Sequence, residues 1–169
     1  MDFGKLNRGK IIENLQKGSK WIGVFCLLAV LFNLAAAVWP LIETENRRLI
    51  IGDFKIGVDM LTKIALCRCC ISSGIIAVIM LLAAVMFFRI AKDGMPFQAK
   101  HVRTVRIISI LFLLNAVVPL AAVYCISGSL RDALAALRVT PVMEGLLFLF
   151  VARIIRYGAM LQEESDETL

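Results

Sequence analysis

The sequence predicts an all-α integral membrane protein: a bundle of four transmembrane helices, both termini inside, with a small extracytoplasmic β-hairpin between spans 1 and 2. Two observations carry this expectation. Of the 169 residues, 60% are hydrophobic and the mean hydropathy is +0.83. Soluble domains hold about 45–50% apolar residues even with glycine counted, so a soluble fold would leave too much apolar surface in water. The apolar residues also come in runs of about 20, the length that covers the ~30 Å hydrocarbon core at 1.5 Å per helical residue. The net charge of +6 is carried by basic residues that punctuate these runs rather than gather on one face. That pattern sets membrane topology and argues against direct nucleic-acid binding. The length suits one domain, residues 1–169.

The elements follow in chain order. Residues 5–20, KLNRGKIIENLQKGSK, mix basic residues with Leu6, Ile11, Ile12 and Leu15 at helical spacing, which suits an interfacial helix. The first span, Trp21 to Trp39, has no charge, a Trp at each end and Pro40 just beyond. It ends without a small-x-small cleavage site and reads as a retained anchor. In RRLIIGDFKIGV, Gly52-Asp53 lies between two β-prone stretches, a two-residue hairpin signal over Arg47 to Val58. The second span, Cys69 to Phe88, is bracketed by Arg68 and Arg89. The segment KDGMPFQAKHVRTVR breaks at Asp93-Gly94 and resumes helix after Pro96, because proline fits only a first helical turn. The third span is Ile107 to Ile126, and SGSLRDALAALRVT then spaces Leu130, Leu134 and Leu137 as a short surface helix would.

The fourth span, residues 139–161, is interrupted by Glu144, Arg153 and Arg156. A mid-membrane arginine costs about 2.5–3.5 kcal/mol on insertion scales, less when it snorkels to the headgroups. The length favours a span over an interfacial helix and leaves 162–169 as a cytoplasmic tail. Four spans put five Lys and Arg of residues 1–20, five of 89–106 and two beyond Ala152 on one side, twelve in all, against seven on the other. The excess predicts both termini inside.

The chemistry-bearing residues are few. Cys67, Cys69 and Cys70 form C-x-C-C at the outer end of the second span, with Cys125 at the outer end of the third. A disulfide or soft-metal site is chemically conceivable there. C-x-C-C is not a zinc spacing, however, and buried cysteines pack as small hydrophobes, the reading that also suits Cys26. The single His101, between Lys100 and Arg103, lacks an Asp or Cys partner at catalytic spacing, and a solvated surface position explains it. Asn33 and Asn115 lie in the middle thirds of their spans. An amide in lipid demands a partner, so inter-helix hydrogen bonds are expected. With Pro119 and Ser72-Ser73-Gly74 the same amides could line a small pore or pocket. No phosphate loop, dinucleotide glycine pattern, zinc-protease, hydrolase or paired-carboxylate motif is present. No cofactor, metal or catalytic residue is expected, and an enzyme is not. Glu163, Glu164, Asp166 and Glu167 make an acidic run whose simplest role is a solvated tail.

Two stretches, GMPFQAKHVRTVRII and the terminal RYGAMLQEESDETL, are similar to those of a bacterial four-span integral membrane family known as domain of unknown function 2975. Gly94, Pro96 and Phe97 match its Gly-x-Pro-Phe segment. Arg156, Gly158, Leu161, Glu164, Asp166, Thr168 and Leu169 match its terminal pattern. Ser165 stands where that pattern has Asn, and Glu167 where it has an apolar Leu. The resemblance implies four spans and supplies no activity. Such proteins are often encoded beside a small helix-turn-helix regulator. By analogy this implies a bacterial inner-membrane protein whose inner face, residues 89–106 and 156–169, binds a small cytoplasmic DNA-binding regulator. Glu163 and its neighbouring acids would complement a basic partner. The alternative is a small transporter, channel or immunity-type protein acting on a membrane-active compound, centred on Asn33 and Asn115.

Overall fold

The computed structural model describes residues 3–50, 60–95, 98–135 and 137–167. Its elements are α1 (Phe3–Ile50), α2 (Met60–Asp93), α3 (Ala99–Ser127), α4 (Leu130–Ala135) and α5 (Val139–Glu167). Three helices are long and apolar enough to cross a membrane, over Gly9–Trp39, Leu66–Asp93 and Lys100–Ser127. They make this a multi-pass membrane protein.

Three expectations are corrected. Among the described residues three helices, not the expected four, have the length and composition of a membrane span. α5 is as long as α3 at 29 residues, but Glu144, Arg153 and Arg156 interrupt it and it is not among the apolar helices. The hairpin over 47–58 fails at its first strand, because Arg47 to Ile50 are the last turn of α1. Residues 51–59 lie outside the described residues, and no strand occurs among those described. The physical reason is helix propagation. The nucleus is already formed upstream, so each added residue costs little, and Glu43, Glu45, Arg47 and Arg48 suit a helix better than a strand. The local β-preference of Leu49-Ile50 loses to that continuity. Third, the interfacial helix and first span are one unbroken helix of 48 residues. At 1.5 Å per residue it is about 72 Å long, more than twice the hydrocarbon thickness.

The helices do not close into a bundle. They stand in an open row in which, among the described residues, α1 touches only α2, α2 touches α1 and α3, and α5 touches α3. Neighbours run antiparallel. At one end Gly23 of α1 faces Phe88 of α2. At the other, the Cys69 and Cys70 thiols donate to the Ala36 and Ala37 carbonyls at 3.9 and 3.3 Å. Pro40 has no N–H to give the carbonyl four residues earlier, which is that of Ala36. The thiol therefore covers a backbone acceptor that lipid could not satisfy. α2 and α3 pack through Ile79, Ile108 and Phe112, with Ile75, Leu82, Ala83 and Leu111 around them. Phe148 of α5 completes this core by stacking on Phe112 with ring centroids 5.4 Å apart. Outside the row, Trp21, Phe25, Phe32 and Trp39 of α1 stand exposed, as lipid-facing side chains do.

The turns form as their residues dictate. Gly94 ends α2 at φ 69°, a left-handed conformation that only glycine adopts at little cost, and its N–H bonds to Ile90 O at 2.8 Å. Helix resumes at Ala99. The short helix expected after the third span is α4, but its leucines do not anchor it. Leu130, Leu134 and Leu137 are exposed, while Ala133 is fully buried in a helix that packs on α3. A close approach admits the alanine where the larger side chains turn outward.

Candidate functional site

The larger share of the basic residues, Arg89, Lys92, Lys100, Arg103, Arg106, Arg153 and Arg156 among them, lies toward one end of the row. This end is built from the first part of α1, the α2–α3 turn, the start of α3 and the second half of α5. Gly94 meets Ile12 and Gln16 of α1: a Cβ there would lie 3.1 Å from both side chains. That contact ties the α2–α3 turn to the N-terminal helix. Asp93 accepts an ion-paired hydrogen bond from Lys100 across the same turn. Both groups are partly exposed, so solvent screens the pair and it contributes little to stability.

His101 is not on the surface. It is 1% exposed, in the first turn of α3, and its Nε2 has no hydrogen-bond partner among the described residues. Asp93, Lys100 and Arg89 are its charged neighbours. The flanking Lys100 and Arg103 suggested a solvated position, but helical rotation turns His101 and Val102 inward while Arg103 stays exposed.

α5 is held on α3 by small residues. The Ser109 hydroxyl donates to the Gly145 carbonyl at 2.6 Å, and Gly145 lies so close to Leu113 that a Cβ would meet Cγ and Cδ2 at 2.8 Å. Close backbone approach through Gly and Ser is how membrane helices associate without a hydrophobic driving force between them. The antiparallel register set there carries the second half of α5 back to the start of α3. It brings Arg153 and Arg156 beside Arg106, around a cavity of about 500 Å³ completed by Tyr157, Leu149, Ala152 and Met160. The sequence showed Arg153 only as an interruption of an apolar run, and Arg156 as a second interruption that also matches the terminal pattern. Their convergence with Arg106 depends on the α3–α5 register, which no local pattern records.

The other predicted site residues are distributed as follows. Gly94 lies in the turn before α3, against α1, and Arg156 lies beside Arg106 of α3, with Gly158, Leu161 and Glu164 following it along α5. Gly158 is half-buried, and Arg156, Leu161 and Glu164 are exposed. Pro96, Phe97, Thr168 and Leu169 lie outside the described residues, as do the side chains of Glu163 and Asp166. Asn33 and Asn115 are not brought together, since α1 and α3 share no contact among the described residues. Asn33 Nδ2 donates to Ala29 O of its own helix at 2.8 Å, so this bond stays within α1. Asn115 is 4% exposed and its Oδ1 has no hydrogen-bond partner among the described residues. Pro119 lies four residues on and cannot give the Asn115 carbonyl the N–H that a helix normally supplies. The five cysteines are free thiols, and no group of three or more His, Cys, Asp or Glu among the described residues could hold a metal.

Comparison with protein-family models, with curated proteins and with solved structures finds no match to this chain.

Proposed function

We propose that the protein is a non-enzymatic component of the bacterial cytoplasmic membrane that holds a small soluble partner at the charged end of its helix row. On this reading that end faces the cytoplasm. Twelve of the 19 Lys and Arg residues belong to the segments that form it, residues 1–20, 89–106 and 153–156, in keeping with the positive-inside rule. The observation that carries the reading is that both motif-bearing segments lie toward one end: the Gly94 turn leads directly into α3 and packs on α1, and Arg156 of α5 lies beside Arg106 of α3. The flanks of the row present apolar side chains and the opposite end carries the smaller share of the Lys and Arg residues, seven of 19, so on this reading the basic end is the one a cytoplasmic protein meets. A small helix-turn-helix DNA-binding regulator is the partner that the family resemblance implies.

The test is recovery of tagged full-length protein in mild detergent from its native host, with co-purifying proteins identified by mass spectrometry. A stoichiometric small DNA-binding protein, lost on deletion of residues 162–169, is the expected result. Recovery of the protein alone, or a partner that survives the deletion, overturns this version.

A further inference from the structure

We infer that the cavity between the start of α3 and the second half of α5 holds the phosphate of an acidic phospholipid, with Arg106, Arg153 and Arg156 as its clamp. Arg153 and Arg156 are three residues apart and so share a helix face, and Arg106 reaches them from α3. Among the described residues none of the three has an ion-pair partner, whereas Lys17 pairs with Glu13 and Lys100 with Asp93. Three guanidiniums converging on one cavity repel each other unless an anion lies between them. Their planar forks match phosphate oxygens, and the Tyr157 phenol adds a further donor.

The rest of the cavity selects a lipid over a free ion. Leu149, Ala152 and Met160 give it an apolar wall suited to glycerol and the first acyl carbons. The volume of about 500 Å³ exceeds what a bare phosphate needs and falls in the range of about 300–1,000 Å³ of small-molecule sites. Depth agrees, because Arg106 is the last charged residue before the uncharged run from Ile107 to Ser127. The cavity therefore lies where headgroups give way to hydrocarbon, and basic pockets between helices at that level take anionic headgroups. The inference stands apart from the docking of any soluble partner.

The experiment uses full-length protein in nanodiscs of phosphatidylcholine with a rising fraction of phosphatidylglycerol, and native mass spectrometry to count retained lipid. The wild type should retain phosphatidylglycerol in preference to phosphatidylcholine. R156Q should weaken that retention about fivefold and R153Q/R156Q about 25-fold, at roughly fivefold per surface guanidinium. R138Q, outside the cavity, should leave it unchanged, and R156K should retain more lipid than R156Q. Thermal unfolding of each variant in detergent establishes that it is folded before its lipid is counted. Equal retention of the two lipids, or equal loss in R138Q, overturns the inference. So does displacement of the lipid by inorganic phosphate where chloride of equal ionic strength has no effect, which would mark a free-phosphate site.

Discussion

Replacing Gly145 tests the seam on which the charged end depends. An alanine Cβ at 145 would lie 2.8 Å from Cγ and Cδ2 of Leu113 and 3.1 Å from the Ser109 carbonyl oxygen, where carbon atoms pack at about 3.5–4.0 Å. Alanine brings a helix-propensity gain of about 1 kcal/mol over glycine. Against it stand overpacking of about 1–3 kcal/mol and weakening of the 2.6 Å Ser109–Gly145 hydrogen bond, worth about 0.5–1.5 kcal/mol. The balance is a net loss of about 1–2 kcal/mol for Gly145→Ala. Valine, with a poorer helix propensity and a branched side chain, should lose about 3 kcal/mol. Reversible unfolding of the purified protein by titrating sodium dodecyl sulfate into mild detergent reads these differences. A Gly145→Ala variant as stable as the wild type would refute the close approach of α3 and α5. The cycle with Leu113→Ala isolates the contact: the double variant should be more stable than the two single losses add up to.

Asn115 yields a prediction of the opposite sign. Its Oδ1 is buried without a partner, a condition that costs about 1–3 kcal/mol. Asn115→Leu should therefore leave stability unchanged or raise it by about 1 kcal/mol in the same titration. A fall of more than about 2 kcal/mol would mean that the amide is paired. The thiols provide a check on the packing of the row. Cys125 is exposed and Cys26 is 9% exposed, so a small maleimide should modify Cys125 well before Cys26 in folded protein. Equal rates would contradict that order.

Hydropathy made the three apolar helices legible because lipid imposes a simple length and composition on any helix that crosses it, and Trp21 to Trp39 meets both without a charge. The break at Asp93-Gly94 was equally plain, since glycine marks the left-handed turn that ends α2. The hairpin failed for a reason that turn chemistry does not contain. A Gly-Asp step says that two strands could turn there, but not that a helix begun far upstream will run on to Ile50. The candidate site was half legible. Gly94, Arg156 and Glu164 were singled out by motif and do share one end of the molecule. Arg106 and Arg153 were missed as site residues, because each looks like a membrane-boundary arginine until Ser109 and Gly145 fix the register between α3 and α5. Asn33 and Asn115 were paired by depth alone, and depth does not say which helices touch.

The open row also bears on how the chain is made. Among the described residues each long helix packs only on the long helix before or after it in the chain, and the small α4 packs on α3. No segment has to wait for a distant one before it can dock. Synthesis at about 5–20 residues per second leaves several seconds between successive helices, long against the microseconds to milliseconds in which local helical contacts form. Each helix can therefore settle on its predecessor as it leaves the ribosome. Of these contacts that of α5 on α3 forms last, so the cluster of Arg106, Arg153 and Arg156 is assembled only after the three apolar helices have already packed.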